Sequence, residues 1–418
     1  RVAKATPARL AEAQANLRQA LPRTWLDVAL LAATGFIAFA KADVTEAMRG
    51  LADPVLAAEL SVSLGQMTGA LSTWVAFLQE RQKTANDDFA LGTEKFLRMV
   101  NETQGVSVDL ATLERLAQED LDRNLTALAQ AAHQIDARKS VREVVAGVLA
   151  EKPAPDRVLA AAAEQAEELR KLLIDKNLVT ISSDDRAEVR ESPPFMRWNS
   201  AFLNSAGVFE ARALPSFYYI SPPDPKWPKA RQAEYVPGTV DLLFTTVHEG
   251  WPGHFLHHLH IKKNPSKILK SFWNYSMGEG WAHYAEEMMY DEGAGAHDPK
   301  AHVGQLTNAL LRNVRFVSAL GLHTRGMTVA QSTQRFVEQA FADGTNAQQQ
   351  AVRGTFDPMY LSYTLGKLMI VKLRADYQKK KGAAFSLREF HDEFLSYGAV
   401  PIPLIRRAML GPDAGPAL

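Results

Sequence analysis

The run Asp241–His260, DLLFTTVHEGWPGHFLHHLH, gathers five of the chain's eleven histidines and one glutamate into twenty residues. Imidazoles beside a carboxylate at the end of an apolar helical pattern are a donor set for a divalent transition metal. There are no cysteines, so any metal must be held by nitrogen and oxygen. The familiar zinc-hydrolase helix, H-E-x-x-H, puts two histidines at i and i+4 on one face while its glutamate acts on water at the metal. Here Pro252 stands at i+4, and the next histidine is His254, at i+6 from His248. On an unbroken helix those two imidazoles would lie about 120° apart around the axis and could hardly share an ion. Pro252 removes a helical hydrogen bond and, with Gly253 after it, breaks or bulges the helix. The break predicts that His254 swings back beside His248. A rival pair, His254 and His258, has true i,i+4 spacing and leaves His248 behind the metal.

The best source of a third ligand is SMGEGWAHYAEEMMYDE, Ser276–Glu292. Glu279 follows His254 by 25 residues, room for a helix, a turn and a returning helix. Glu279, His283 and Glu286 fall at i, i+4 and i+7, one stripe of that helix. Glu279 is expected on the metal, with His283 and Glu286 orienting the ligands from behind. Two imidazoles and one carboxylate leave a coordination position for water, the pattern of catalytic rather than structural zinc. Glu249, adjacent to His248, then has the chemistry of a general base.

HEGWPGH, EGWAHYAE, GLHTRGMT (Gly321–Thr328), YLSYTLGKLMIVKLR and FHDEFLSYGAVPIPLI, in that order, resemble the bacterial family known as domain of unknown function 885. The likeness covers roughly the last two thirds of the chain well and the helical region before Lys176 loosely. That family in turn resembles the helical zinc peptidases of the angiotensin-converting-enzyme and thermostable-carboxypeptidase groups. The resemblance implies one Zn2+ per chain on His248, His254 and Glu279, and it favours that set over the His254–His258 pair. It also implies that His323 and Tyr363 donate hydrogen bonds to the oxyanion formed when water adds to a peptide carbonyl. Phe255 stands where many members carry a second histidine after Pro-Gly-His. Asp357-Pro358-Met359 and Thr364 depart from the family pattern near the tyrosine, which bears on the substrate pocket more than on the metal. Tyr360, Arg315 and Lys367 are candidate substrate-binding residues; Arg374 is a further cation of the same kind.

These residues need helices to position them, and composition agrees. At 418 residues, 46% hydrophobic and 22% charged, the chain is long enough for a large core or two lobes. Its formal net charge of zero argues against a nucleic-acid partner. Residues 1–177 read as a helical lobe with breaks near Pro22, Pro54, Gly105 and Pro153-Ala154-Pro155. Residues 178–238, rich in β-branched and aromatic residues between prolines, predict short strands and loops. Gly207–Leu214 is the candidate for a strand beside the metal helix, where substrate backbone could pair. Residues 239–418 form the helical metal-binding lobe, including a long helix ending near Gly321 and a Thr328 cap for the next one. Leu26–Ala40 is the most apolar run; it is short for a membrane span and reads as a buried core helix, so no integral span is expected. The start at Arg1 fits a mature or trimmed product.

The expectation is therefore a mainly α, two-lobed zinc-peptidase-like architecture with a small β element, acting on short peptides. The alternatives are a hydrolase of another amide or ester, and a helical scaffold that keeps a metal without catalysis. The cell envelope is favoured over the cytoplasm, and oligomeric state is not legible.

Overall fold

The computed structural model describes residues 1–212 and 214–418. It is mainly helical and falls into two compact units, Arg1–Phe89 with Glu191–Ser200, and Ala90–Arg190 with Ala201–Leu418. The first unit thus closes at Phe89 and takes in a later segment, where the sequence reading drew a single lobe to residue 177.

In the first unit the helices Val2–Asn16, Arg23–Phe39 and Pro54–Gln82 pack around Ala3, Ala40, Met67 and Leu71. Asp53 caps the third, its carboxylate accepting from the Val55 and Leu56 amides. Gly35 lets the Phe195 segment approach, since a Cβ there would lie 2.8 Å from the Phe195 Cα. The apolar helix does not behave as the expected core helix. Only Leu26 and Ala33 of Arg23–Phe39 are buried, while Trp25 is 40% and Leu31 54% exposed. A helix apolar on every side is ordinarily buried, so the exposed apolar surface here is a departure from that rule. Among the described residues, Arg23–Met48 is the one helical stretch long and apolar enough, by length and composition, to cross a membrane.

The second unit is built on the helix Pro299–Thr324, buried along nearly its whole length. Leu110–Ile135, Thr239–Glu249, Tyr275–Asp291 and Ser362–Lys381 pack around it. Asp298 caps it ahead of Pro299. It ends at Thr324, near Gly321 as expected, and a Cβ at Gly321 would sit 2.3 Å from the Met327 side chain, so the glycine makes room for the returning chain. Thr328 does cap the next helix, Val329–Gln339, in a reciprocal box with Gln331.

The β element is a three-stranded sheet with Ser216–Ile220 between Ala187–Glu191 and Ala201–Asn204. Ala201–Asn204 pairs antiparallel with Phe217–Ile220, Ala201 opposite Ile220. The central strand lies by the helix Thr239–Glu249, the Tyr218 hydroxyl 3.4 Å from the Thr246 hydroxyl. Gly207–Arg212 and Leu214 are not strand, contrary to expectation, and Ala213 lies outside the described residues. The turn at Gly207–Glu210 occupies the chain there, and alternation of buried residues starts only at Ser216.

Candidate metal centre

The first metal-site helix runs Thr239–Glu249 and ends where the sequence stops supporting it. The chain turns through Gly250–Gly253, and a second helix, His254–Lys263, begins at His254 itself. Pro252 cannot donate, so the Gly253 amide reaches back to the Val247 carbonyl at 3.0 Å. The turn is so tight that a Cβ on Gly253 would meet the His248 carbonyl oxygen at 1.9 Å, which admits only glycine. From the facing helix Tyr275–Asp291, the Trp281 indole donates to the Pro252 carbonyl at 2.8 Å and pins the break.

The break brings the two imidazoles together, ring centroids 4.7 Å apart and nearly perpendicular. Glu279 Oε2 lies 3.2 Å from His248 Nε2 and 3.2 Å from His254 Nε2. Ligands at about 2.0–2.1 Å in a tetrahedron stand about 3.3–3.4 Å from one another, and the spacing of the Glu279 oxygen from each imidazole is close to that. Glu249 is part of the same group: a carboxylate oxygen lies within 4.8 Å of a ring nitrogen of each histidine. Its Oε2 is buried without a hydrogen-bond partner, as is His254 Nδ1. A donor set of two imidazoles and carboxylates suits zinc and neighbouring transition ions.

Behind the ligands, Glu286 Oε1 takes a hydrogen bond from His248 Nδ1 at 2.6 Å and lies 3.2 Å from the Arg312 guanidinium. This directs His248 Nε2 toward Glu279. Burial pulls the His248 pKa down, but bonding to Glu279 and Glu286 outweighs it and raises the value to about 9. Burial opposes ionisation of Glu279, yet the His254 charge and the bonds to both imidazoles hold it well below the usual carboxylate range. His283 is fully buried, 3.6 Å from Glu286, with neither ring nitrogen bonded, and burial lowers its pKa to about 4.

The other histidines of the run are accounted for by packing. His257 Nε2 meets the Gly398 carbonyl and His260 Nε2 the Thr180 carbonyl. Burial lowers His258 to about 4, and it is no part of the cluster around His248.

Tyr363 does reach the site. Its ring stacks on His248 with centroids 5.9 Å apart, and its hydroxyl accepts from Arg353 at 3.3 Å. Burial raises its pKa against the nearby Arg353 charge, so the hydroxyl keeps its proton. A close helix crossing brings it there: a Cβ on Gly280 would meet the Gly366 Cα at 2.5 Å, so the backbones of Tyr275–Asp291 and Ser362–Lys381 almost touch.

His323 is placed otherwise than expected. It lies inside the long helix, its Nε2 on the Gly354 carbonyl at 2.8 Å and its Nδ1 accepting from the Leu91 amide at 3.4 Å. Both nitrogens thus serve the backbone, which removes it from an oxyanion role. Lys367 is also reassigned: it is 1% exposed and paired to Asp120 at 2.9 Å and Glu287 at 3.4 Å, so its charge is consumed internally. Tyr360 is fully buried with its hydroxyl against Gly354 and presents nothing to a substrate. Arg374 donates to the Tyr284 hydroxyl. Arg315 remains beside the site, its guanidinium 4.5 Å from the Tyr363 ring centre.

Sequence reasoning missed three residues. Tyr275, four before Glu279 on the same helix face, donates to Asp357 at 2.8 Å. Arg353 bridges the Tyr275 and Tyr363 hydroxyls. Arg312 backs Glu286. The i,i+4 spacing of Tyr275 and Glu279, and two arginines three apart on an apolar helix, were the available signals.

Comparison with solved structures places the fold in company. A "putative lipoprotein of unknown function" from Shewanella oneidensis matches at 23% identity and a TM-score of 0.76, over 98% of this chain and 77% of that one. A "putative lipoprotein" from Colwellia psychrerythraea matches at 20% identity and a TM-score of 0.73, over 84% of this chain and 62% of that one. No curated protein matches. The family model described as "Bacterial protein of unknown function (DUF885)" matches residues 1–409, and the chain therefore belongs to that family.

Proposed function

We propose that this chain is a zinc-dependent metallopeptidase for short peptides, with His248, His254 and Glu279 as the metal ligands. The observation that carries the reading is the convergence of one carboxylate oxygen on two imidazole nitrogens at 3.2 Å each, with Glu249 beside them. Bound there, zinc would supply Lewis acidity toward a carbonyl and a nucleophile from water at neutral pH. Glu249, with its unpartnered Oε2, takes the proton of the attacking water and returns it to the amine as the carbon–nitrogen bond breaks. Tyr363, protonated and aligned by Arg353, donates to the carbonyl oxygen as it gains charge. Glu286 and Arg312 hold His248 in one orientation. Solvent reaches the site: the His254 and Glu279 side chains are 13% and 15% exposed.

The test joins metal analysis of the purified protein to a screen of short peptides. Stoichiometric zinc with hydrolysis that a chelator abolishes is expected. Glu249→Gln should keep the metal and lose roughly 10²–10⁴-fold in kcat. Metal with no turnover on any peptide would favour the scaffold reading. The lipoprotein neighbours and the apolar Arg23–Met48 helix support a place in the cell envelope.

A further inference from the structure

Between the second histidine and Glu279 the chain lays large apolar side chains on the surface. Ile268, Phe272 and Trp273 are all exposed, and the ammonium of Lys270, from the same segment, stands 5.9 Å from the ring centre of Phe209, which is exposed as well. Trp273 reaches the candidate metal cluster. Its ring centre lies 6.3 Å from that of His254 and 6.1 Å from that of His257, on which it stacks. It also rests on Gly278, where a Cβ would meet the indole at 2.4 Å, so the ring is seated on backbone one residue before Glu279. The next residue anchors the chain: the Asn274 amide donates to the Ala399 carbonyl at 2.7 Å and its side chain to the Thr103 carbonyl at 2.9 Å. Held in this way, Trp273 is still 59% exposed. A large apolar residue on the surface is ordinary by itself, but an indole fixed by its neighbours against a ligand imidazole keeps an apolar face ready for something that arrives from outside.

We propose that Trp273 forms an apolar subsite for the side chain of a residue next to the cleaved bond, which makes the enzyme selective for peptides with an aromatic residue there. This rests on the peptidase reading for its reaction and on the seated indole for its selectivity. Tyr363 stacks on His248 and Trp273 lies against His254, so each imidazole is flanked by an aromatic ring, and of the two rings Trp273 is the one open to solvent. An aromatic side chain laid on that indole removes apolar surface from water and gains the stacking geometry that aromatic pairs prefer. A cationic side chain could also stack on an indole. Charge disfavours it here: residues 255–278 carry Lys262, Lys263, Lys267 and Lys270 and no Asp or Glu. The rival role for Trp273, shielding His254 from water, would affect all peptides equally.

The zinc-loaded protein is therefore assayed on matched short peptides that carry phenylalanine, alanine or lysine at each position in turn. Phenylalanine beside the cleaved bond should be preferred to alanine by roughly 10–100-fold in kcat/KM, the range for burying an aromatic side chain. Trp273→Ala should bring that ratio to about one, and Trp273→Phe should restore part of it. Equal cleavage of the phenylalanine and alanine peptides by the unmodified enzyme overturns the proposal and leaves the peptidase reading intact. So does a ratio that survives Trp273→Ala, or a preference for lysine over phenylalanine. Binding of the same peptides to Glu249→Gln protein by calorimetry is the second arm. If no peptide is cleaved, the peptidase reading fails; a binding preference for the phenylalanine peptide that Trp273→Ala removes then upholds the apolar subsite, and no preference overturns it. Should Trp273→Ala fail to fold, the unmodified enzyme's ratio and Trp273→Phe decide.

Discussion

At the scale of single residues, the proposed metal ligands are held by what lies behind them. His248 carries carboxylates on both nitrogens, Glu279 on one side and Glu286 on the other, and they raise its pKa to about 9. A metal needs the imidazole without that proton, so at neutral pH its binding displaces one. Calorimetric titration with zinc near pH 7, in buffers of different ionisation heat, should report about one proton released from this site, and affinity should fall as pH falls below about 9. Glu286→Gln removes the carboxylate that orients the ring and should cost roughly 10–100-fold in metal affinity. Tyr363→Phe leaves the stacking on His248 but removes the donor; kcat should fall roughly 10²–10³-fold with the metal content unchanged, measured by steady-state kinetics and metal analysis.

At the scale of elements, two close approaches decide whether the site exists. The first is the break at Gly250–Gly253, where any side chain on Gly253 collides with the His248 carbonyl. Gly253→Ala should misplace His254 relative to His248, and the purified variant should hold far less than one zinc per chain. The second is the crossing at Gly280 and Gly366, which brings Tyr363 toward Glu279. Near it the helices are tied by Lys367, buried between Asp120 of one helix and Glu287 of another. Lys367→Met would remove the more buried of the two cations that serve these carboxylates, leaving Arg123 on both, and should lower stability by about 1.5–3 kcal/mol in denaturant titration. The reading of Lys367 as a substrate residue failed because a cation's partner is chosen by a helix distant in the chain, and spacing along its own helix says nothing of that.

For the whole molecule, the same ion pairs set the response to acid. Burial works against ionised Asp120, but Lys367 and Arg123 outweigh it and keep its pKa below the ordinary value; Glu287 is lowered likewise. Groups with depressed folded-state values contribute stability that is fully present above the unfolded pKa, about 4, and is lost as pH falls through the folded values. Thermal unfolding should therefore show stability falling from about pH 4 downward, and Asp120→Asn should flatten that fall. Much was written locally. The mainly helical character follows from composition and periodicity, and the helix break follows from Pro252 and Gly253, whose backbone limits act within a few residues. The stripe of Glu279, His283 and Glu286 follows from helical repeat alone. What only the tertiary structure decided is which polar group meets which. His323 turned to the Gly354 and Leu91 backbone, Lys367 to Asp120, Arg315 to the Tyr363 ring, and the apolar helix Arg23–Phe39 kept most of its surface unburied. Periodicity states that a side chain lies on a given face, but burial and pairing depend on the neighbour across that face, and that neighbour comes from elsewhere in the chain.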